Sequence, residues 1–139
     1  MIKGVYPIVN KEWHQLYQQA VSVCHKREVS QFMVTGSVAA AILTDQGRVY
    51  TGISVDMACS IGFCAERNAI GNMLTQGETR ILKMVAVKRK EIIMPCGVCR
   101  EFMMQLGGHN RNLEVLVSLD PLETVTLERL IPHYWKEEK

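Results

Sequence analysis

"CAERNAIGNMLTQGETRILKMVAV", residues 64–87, reads as a helix, a break and a strand. Ala69, Ile70, Met73 and Leu74 recur at the spacing of one helix face, and Gly77 ends the run. The mostly apolar 81–87 has the length and composition of a buried strand. Upstream, "SVAAAILTDQGRVYTGISV" (37–55) sets two β-rich runs on either side of Asp45-Gln46-Gly47, a short glycine-bearing link that predicts a hairpin. Downstream, "CGVCREFMMQL" (96–106) predicts a second helix, with Cys99, Phe102, Met103 and Leu106 on one face and Gly107-Gly108 as its stop. A strand at 113–119 and a short helix within 124–135 follow. Near the start, Asn10 can cap a helix whose apolar face is Trp13, Leu16, Tyr17, Ala20 and Cys24. Strand-helix-strand crossovers imply parallel pairing of the later strands beside the antiparallel hairpin, hence a mixed sheet between helical layers. One domain over 1–139 is expected, with no internal repeat, linker or low-complexity segment.

Composition narrows the function classes. The 139 residues carry a net charge of +2 and are 47% hydrophobic, enough for one real core. No apolar run approaches the roughly 18 residues of a membrane span, and "MIKGVYPIVNKEW" lacks the apolar stretch of a secretory signal, so a cytoplasmic protein is expected. Near-balanced charge without interleaved aromatics argues against a nucleic-acid partner. The run "KRKE" at 88–91 reads as a solvated rim.

Five cysteines stand at 24, 59, 64, 96 and 99, an odd set that speaks for metal ligation or catalysis rather than a disulfide framework. Cys64, Cys96 and Cys99 fall at two helix starts, where unpaired N–H groups and the helix dipole favour the thiolate. Three thiolates can hold one Zn²⁺ and leave a fourth position to water. Glu66, two residues beyond Cys64, can reach that water without ligating the metal and would move its protons. Three thiolates leave excess negative charge on the metal, which Arg67 and Arg100, each following a ligand region, can offset. Cys24 reads as a core residue and Cys59 as a pocket-wall or core thiol.

The paired motifs "CAERNAI" and "PCGVCRE" resemble the zinc-dependent cytidine deaminases, of which blasticidin S deaminase is a relative, in their all-cysteine form. The similarity runs from about Val38 to Trp135. It implies a three-layer α/β/α sandwich around a mixed five-stranded sheet. It further implies hydrolytic deamination, in which a zinc-activated water attacks C4 of a cytosine ring, Glu66 shuttles protons and ammonia departs. In such enzymes the position of Arg67 serves the sulfurs, so Arg67 takes that role ahead of Arg100. The resemblance also implies a homotetramer whose pockets are completed by neighbouring chains, with Trp135 at the terminal position where the family places an aromatic near substrate.

The sugar-binding stretch departs from the family. An Asn-x-Glu-Asn pattern becomes Ser54, Asp56 and Met57, so Ser54 and Asp56 are the residual candidates for gripping a sugar hydroxyl, each with a shorter reach. The ring-stacking aromatic falls at Gly36, which Phe32 replaces only if "MVTGS" folds back. A cytosine-containing nucleoside is expected as substrate, either cytidine or deoxycytidine or a blasticidin S-like analogue. The alternative is a non-enzymatic, zinc-stabilised binding or assembly module of the same fold.

Overall fold

The computed structural model describes residues 8–136. Helix α1 (Ile8–Val23) leads into strands β1 (Arg27–Ser30), β2 (Met33–Thr44) and β3 (Val49–Met57). Helix α2 (Ala65–Thr75), strands β4 (Ile81–Lys88) and β5 (Glu91–Ile93), and helix α3 (Gly97–Gln105) follow. A 3₁₀ turn (Gly108–Asn112), strands β6 (Glu114–Leu119) and β7 (Leu122–Thr126) and helix α4 (Leu127–Leu130) complete the order.

The strands build one mixed sheet whose main order is β3-β2-β4-β6-β7. Short β1 pairs with the first residues of β2, and short β5 with the last of β4. The sheet therefore has seven strands where five were expected. The additional ones are short or polar, β1 being exposed at every position, and composition alone does not mark them. β4 and β6 pair in parallel, with Met84 opposite Val115, as the β4-α3-β6 crossover requires. The β3-α2-β4 crossover instead steps over β2, which lies antiparallel between its two ends.

Alternation along the strands sends side chains to two cores. Ala39, Ala41, Val85, Val87 and Leu116 meet Trp13, Leu16 and Ala20 of α1 on one face. Ile42, Met84 and Val115 meet Ala69, Ile70 and Met73 of α2, Met103 and Met104 of α3 and Leu127 of α4 on the other. Burying each of the larger of these side chains contributes about 1.5–3 kcal/mol. The result is the expected α/β/α sandwich. Three boundary expectations change. Helix α1 starts before Asn10, Leu74 is exposed because the buried stripe of α2 runs through Ala65, Ala69, Ile70 and Met73, and Met104 takes the buried place expected of Phe102.

Two features set α2 against the sheet. Gly52 on β3 touches the helix so closely that a Cβ there would lie 2.3 Å from the Ala69 nitrogen and 2.6 Å from the Ala65 oxygen. The Asn68 and Asn72 side-chain amides, one turn apart, donate to the carbonyls of Ile53 (3.1 Å) and Thr51 (3.0 Å). Helix and edge strand are thereby locked in register, and the start of α2 has a defined place.

Candidate active site

The segment entering α2 is pinned before the first cysteine. Gly62 lies against β3, where a Cβ would sit 2.1 Å from the Val55 oxygen, and Phe63 exchanges two backbone hydrogen bonds of 3.0 Å with Val55. Cys64 then caps α2 in extended conformation (φ −74°, ψ 153°), its carbonyl accepting from the Asn68 N–H while its thiol makes no capping bond. Cys96 repeats this at α3 (φ −67°, ψ 168°), its carbonyl accepting from the Arg100 N–H. Both thiols stay free to face each other across the two helix starts.

Cys99 completes the set from the first turn of α3. The Cys64 and Cys96 sulfurs are 3.5 Å apart, Cys96 and Cys99 likewise, and all three lie within 4.8 Å of one another. Four tetrahedral bonds of about 2.3 Å would place sulfur ligands about 3.8 Å apart, so these soft donors fit a zinc ion with little adjustment. Without a cation, burial pushes the Cys64 and Cys99 thiols up, and the Glu66 carboxylate adds to the effect on Cys99. Burial opposes ionisation of Cys96 too, but hydrogen bonds, among them those from the backbone N–H groups of Cys99 and Val98, outweigh it and hold that thiol below its ordinary value. A bound divalent cation reverses this logic, because a coordinating thiol is deprotonated outright.

Glu66 is 3% exposed, and its Oε2 accepts from the Cys99 thiol at 3.0 Å. A cavity of about 530 Å³ opens over Glu66, Cys64 and Cys96, a size that suits a small organic ligand. Ser54 and Asp56 both line it, and the Ser54 Oγ already accepts from the Val38 N–H at 2.9 Å. Phe63, Val38, Ile93 and Met94 supply its apolar wall. Phe63 was missed because its place depends on the bridge to Val55, which no local pattern announces.

The remaining expectations separate. Contact with the Cys64 and Cys99 sulfurs raises the pKa of the Arg67 guanidinium, chiefly through Cys64, while its Nε is buried with no partner among the described residues. Arg100 turns elsewhere, its Nε donating to the Pro95 carbonyl (2.8 Å) and its Nη1 to that of Leu130 (2.9 Å), so Arg67 is the cation on the sulfurs. Trp135 does not line the cavity of its own chain; it is 69% exposed and donates from Nε1 to Glu101 at 2.7 Å. Phe32 lies exposed at the β1-β2 turn, since "MVTGS" is strand rather than a returning loop. Cys59 is exposed and outside the thiol cluster, neither core nor wall.

Comparison with known proteins agrees with this arrangement. Residues 11–113 match the model of the cytidine and deoxycytidylate deaminase zinc-binding region. The chain is similar to a cytidine deaminase of Mycobacterium tuberculosis H37Rv, 35% identical over 74 residues, covering 52% of this chain and 56% of the relative. The match therefore spans little more than half of that relative's length. A cytidine deaminase of Halalkalibacterium halodurans is 29% identical over 98 residues, covering 68% of this chain and 74% of its own length. The crystal structure of the Mycobacterium tuberculosis cytidine deaminase superposes with a TM-score of 0.75 at 27% identity, covering 91% of this chain and 98% of that one.

Proposed function

Because this chain belongs to the cytidine and deoxycytidylate deaminase zinc-binding family, we propose that it deaminates a cytosine-containing nucleoside by hydrolysis, releasing ammonia. Its cofactor is zinc, which Cys64, Cys96 and Cys99 would hold. When bound there, the metal supplies Lewis acidity that brings the pKa of a water to roughly 7. One observation carries the reading: a buried carboxylate, Glu66, stands beside the three-thiol cluster at the floor of a ligand-sized cavity. A purely structural metal site has no use for that carboxylate.

Glu66 accepts the proton of the attacking water at Oε2 and delivers it to the ring nitrogen next to C4. The proton remaining on the new C4 hydroxyl then passes by way of Glu66 to the amine, so that the C4–N bond breaks, ammonia leaves and the C4 carbonyl forms. The apolar wall of Phe63, Val38, Ile93 and Met94 takes the ring, while Ser54 and Asp56 face its sugar. Arg67 offsets the charge of the thiolates.

The charges around the cavity favour a nucleoside over a nucleotide. Asp56 and Glu66 bring two carboxyl groups to the lining, and the one cation among the described lining residues, Arg67, is engaged by sulfur. A phosphate would meet repulsion from these carboxyl groups and no free cation among the described lining residues. Cytidine, deoxycytidine and a blasticidin S-like analogue all fit this description.

We extend the proposal to a homotetramer. Ile61, Phe63, Val98, Phe102 and Trp135 leave large apolar side chains exposed, which neighbouring chains would cover. Five free cysteines suit a reducing, cytoplasmic setting, and no helix among the described residues is long and apolar enough to cross a membrane.

Ammonia release is the deciding measurement, across cytidine, deoxycytidine, deoxycytidylate and blasticidin S. Glu66→Gln should keep zinc and lower kcat by about 10²–10⁴-fold. Undiminished turnover in that variant would refute the mechanism, and a preference for deoxycytidylate would refute the charge argument.

A further inference from the structure

Arg100 and Glu101, the two residues that follow the last cysteine, both reach the C-terminal segment. The Arg100 guanidinium bridges the carbonyls of Pro95 and Leu130 at 2.8 and 2.9 Å. Oε1 of Glu101 accepts from the Tyr134 hydroxyl (3.0 Å), the Trp135 Nε1 (2.7 Å) and the Gln105 amide (2.7 Å). Each carbonyl that Arg100 takes needs a donor. Pro95 is buried and its carbonyl immediately precedes Cys96, while Leu130 ends α4, where helix carbonyls have no internal partner. A planar, forked cation meets both from two different nitrogens, Nε and Nη1, held in a fixed relative geometry that the compact, flexible ammonium of a lysine lacks.

Resting on the reading of the three thiols as zinc ligands, we infer that Arg100 is a positioning residue for the Pro95–Cys99 turn, and that the segment 130–135 straps this turn in place through it. The labour is divided between two arginines. Arg67 compensates sulfur charge from α2, and Arg100 holds the backbone that aims Cys96 at Cys64, 3.5 Å away on the other helix. Loss of Arg100 leaves the Pro95 carbonyl without its donor and lets the turn drift away from α2. The metal is then held less tightly although every ligand remains.

The test uses the full chain loaded with zinc or cobalt. Zinc release to a chromophoric chelator and the thiolate-to-cobalt charge-transfer and d–d bands are recorded for wild type, Arg100→Gln, Arg100→Lys and Glu101→Gln. Arg100→Gln should release zinc about 10- to 100-fold faster, the usual effect of losing a group that orients a metal ligand, and should shift the d–d bands. Arg100→Lys, which keeps the charge and one of the two bonds, should fall between it and wild type. If Arg100→Gln does not fold, Glu101→Gln, which loosens the strap at its far end, should still accelerate release severalfold. Tyr50→Phe supplies a control, destabilising the remote contact with Glu78 while leaving zinc release unchanged. Wild-type release and cobalt bands in the Arg100 variants would overturn the proposal, as would equal acceleration by Tyr50→Phe at equal loss of Tm. A wild type without thiolate-to-cobalt bands would overturn the ligand reading and this proposal together.

Discussion

Gly52→Ala tests whether the sheet dictates the geometry of the chemistry. The added methyl would lie 2.3 Å from the Ala69 nitrogen, more than 1 Å inside the 3.4 Å at which ordinary contact begins, and 2.6 Å from the Ala65 oxygen. Both obstacles are helix backbone, so no side-chain rotation relieves them. Helix α2 must retreat by about 1 Å or β3 must buckle, and overpacking of this kind typically costs 1–3 kcal/mol. For a chain of 139 residues that corresponds to a Tm loss of roughly 3–12 °C. The same displacement carries Cys64 and Glu66 with the helix, while Cys96 and Cys99 stay on α3. Misplacement by 1 Å can lower turnover by about 10²-fold. Calorimetry, zinc stoichiometry and kcat/KM for the preferred nucleoside should therefore fall together. A variant with wild-type Tm and activity would show that β3 and α2 are not in the close register described, and the account of site positioning would fail.

Further outcomes follow from other contacts. Hydrogen bonds from Thr44 (2.6 Å) and Tyr50, with the charge of Arg48 at 3.8 Å, hold the Glu78 carboxyl below its ordinary 4.5. Its stabilising contribution is thus complete above pH 4.5 and disappears as pH falls through the lowered folded value; in thermal melts, Glu78→Gln should show its full Tm deficit at pH 7 and a shrinking one below pH 4.5. Removing zinc with a strong chelator should lower Tm by on the order of 10 °C, because a ligand at a thousand times its Kd contributes about 4 kcal/mol; an unchanged melt would contradict a metal shared between two helices. Phe63→Ala should raise KM roughly 2- to 12-fold through lost ring contact, with kcat less affected, as read in steady-state kinetics. A change confined to kcat would place Phe63 outside the substrate wall.

The chemistry of the site was legible along the chain because it depends on residue type and short spacing. Cys64 and Glu66 are two residues apart, Cys96 and Cys99 three, and each pair sits where a helix begins, so local conformation alone orients them. The sandwich followed from periodicity, since the alternation of β2 and the helical spacing of α2 are consequences of where apolar groups must be buried. Contacts between distant segments were decided by the fold. Arg67 and Arg100 both follow a ligand region, yet one meets sulfur and the other two carbonyls, because the fold brings the end of α4 to Arg100. Phe63 entered the cavity wall through a bridge to Val55, and Trp135 was drawn to Glu101 rather than to its own chain's cavity. Strands β1 and β5 exist because longer neighbours offered them free edges, not because four or three residues carry a pattern of their own. Spacing within a helical turn is set by the local backbone, whereas the partner of a long side chain is set by which remote backbone the packed sheet brings to it.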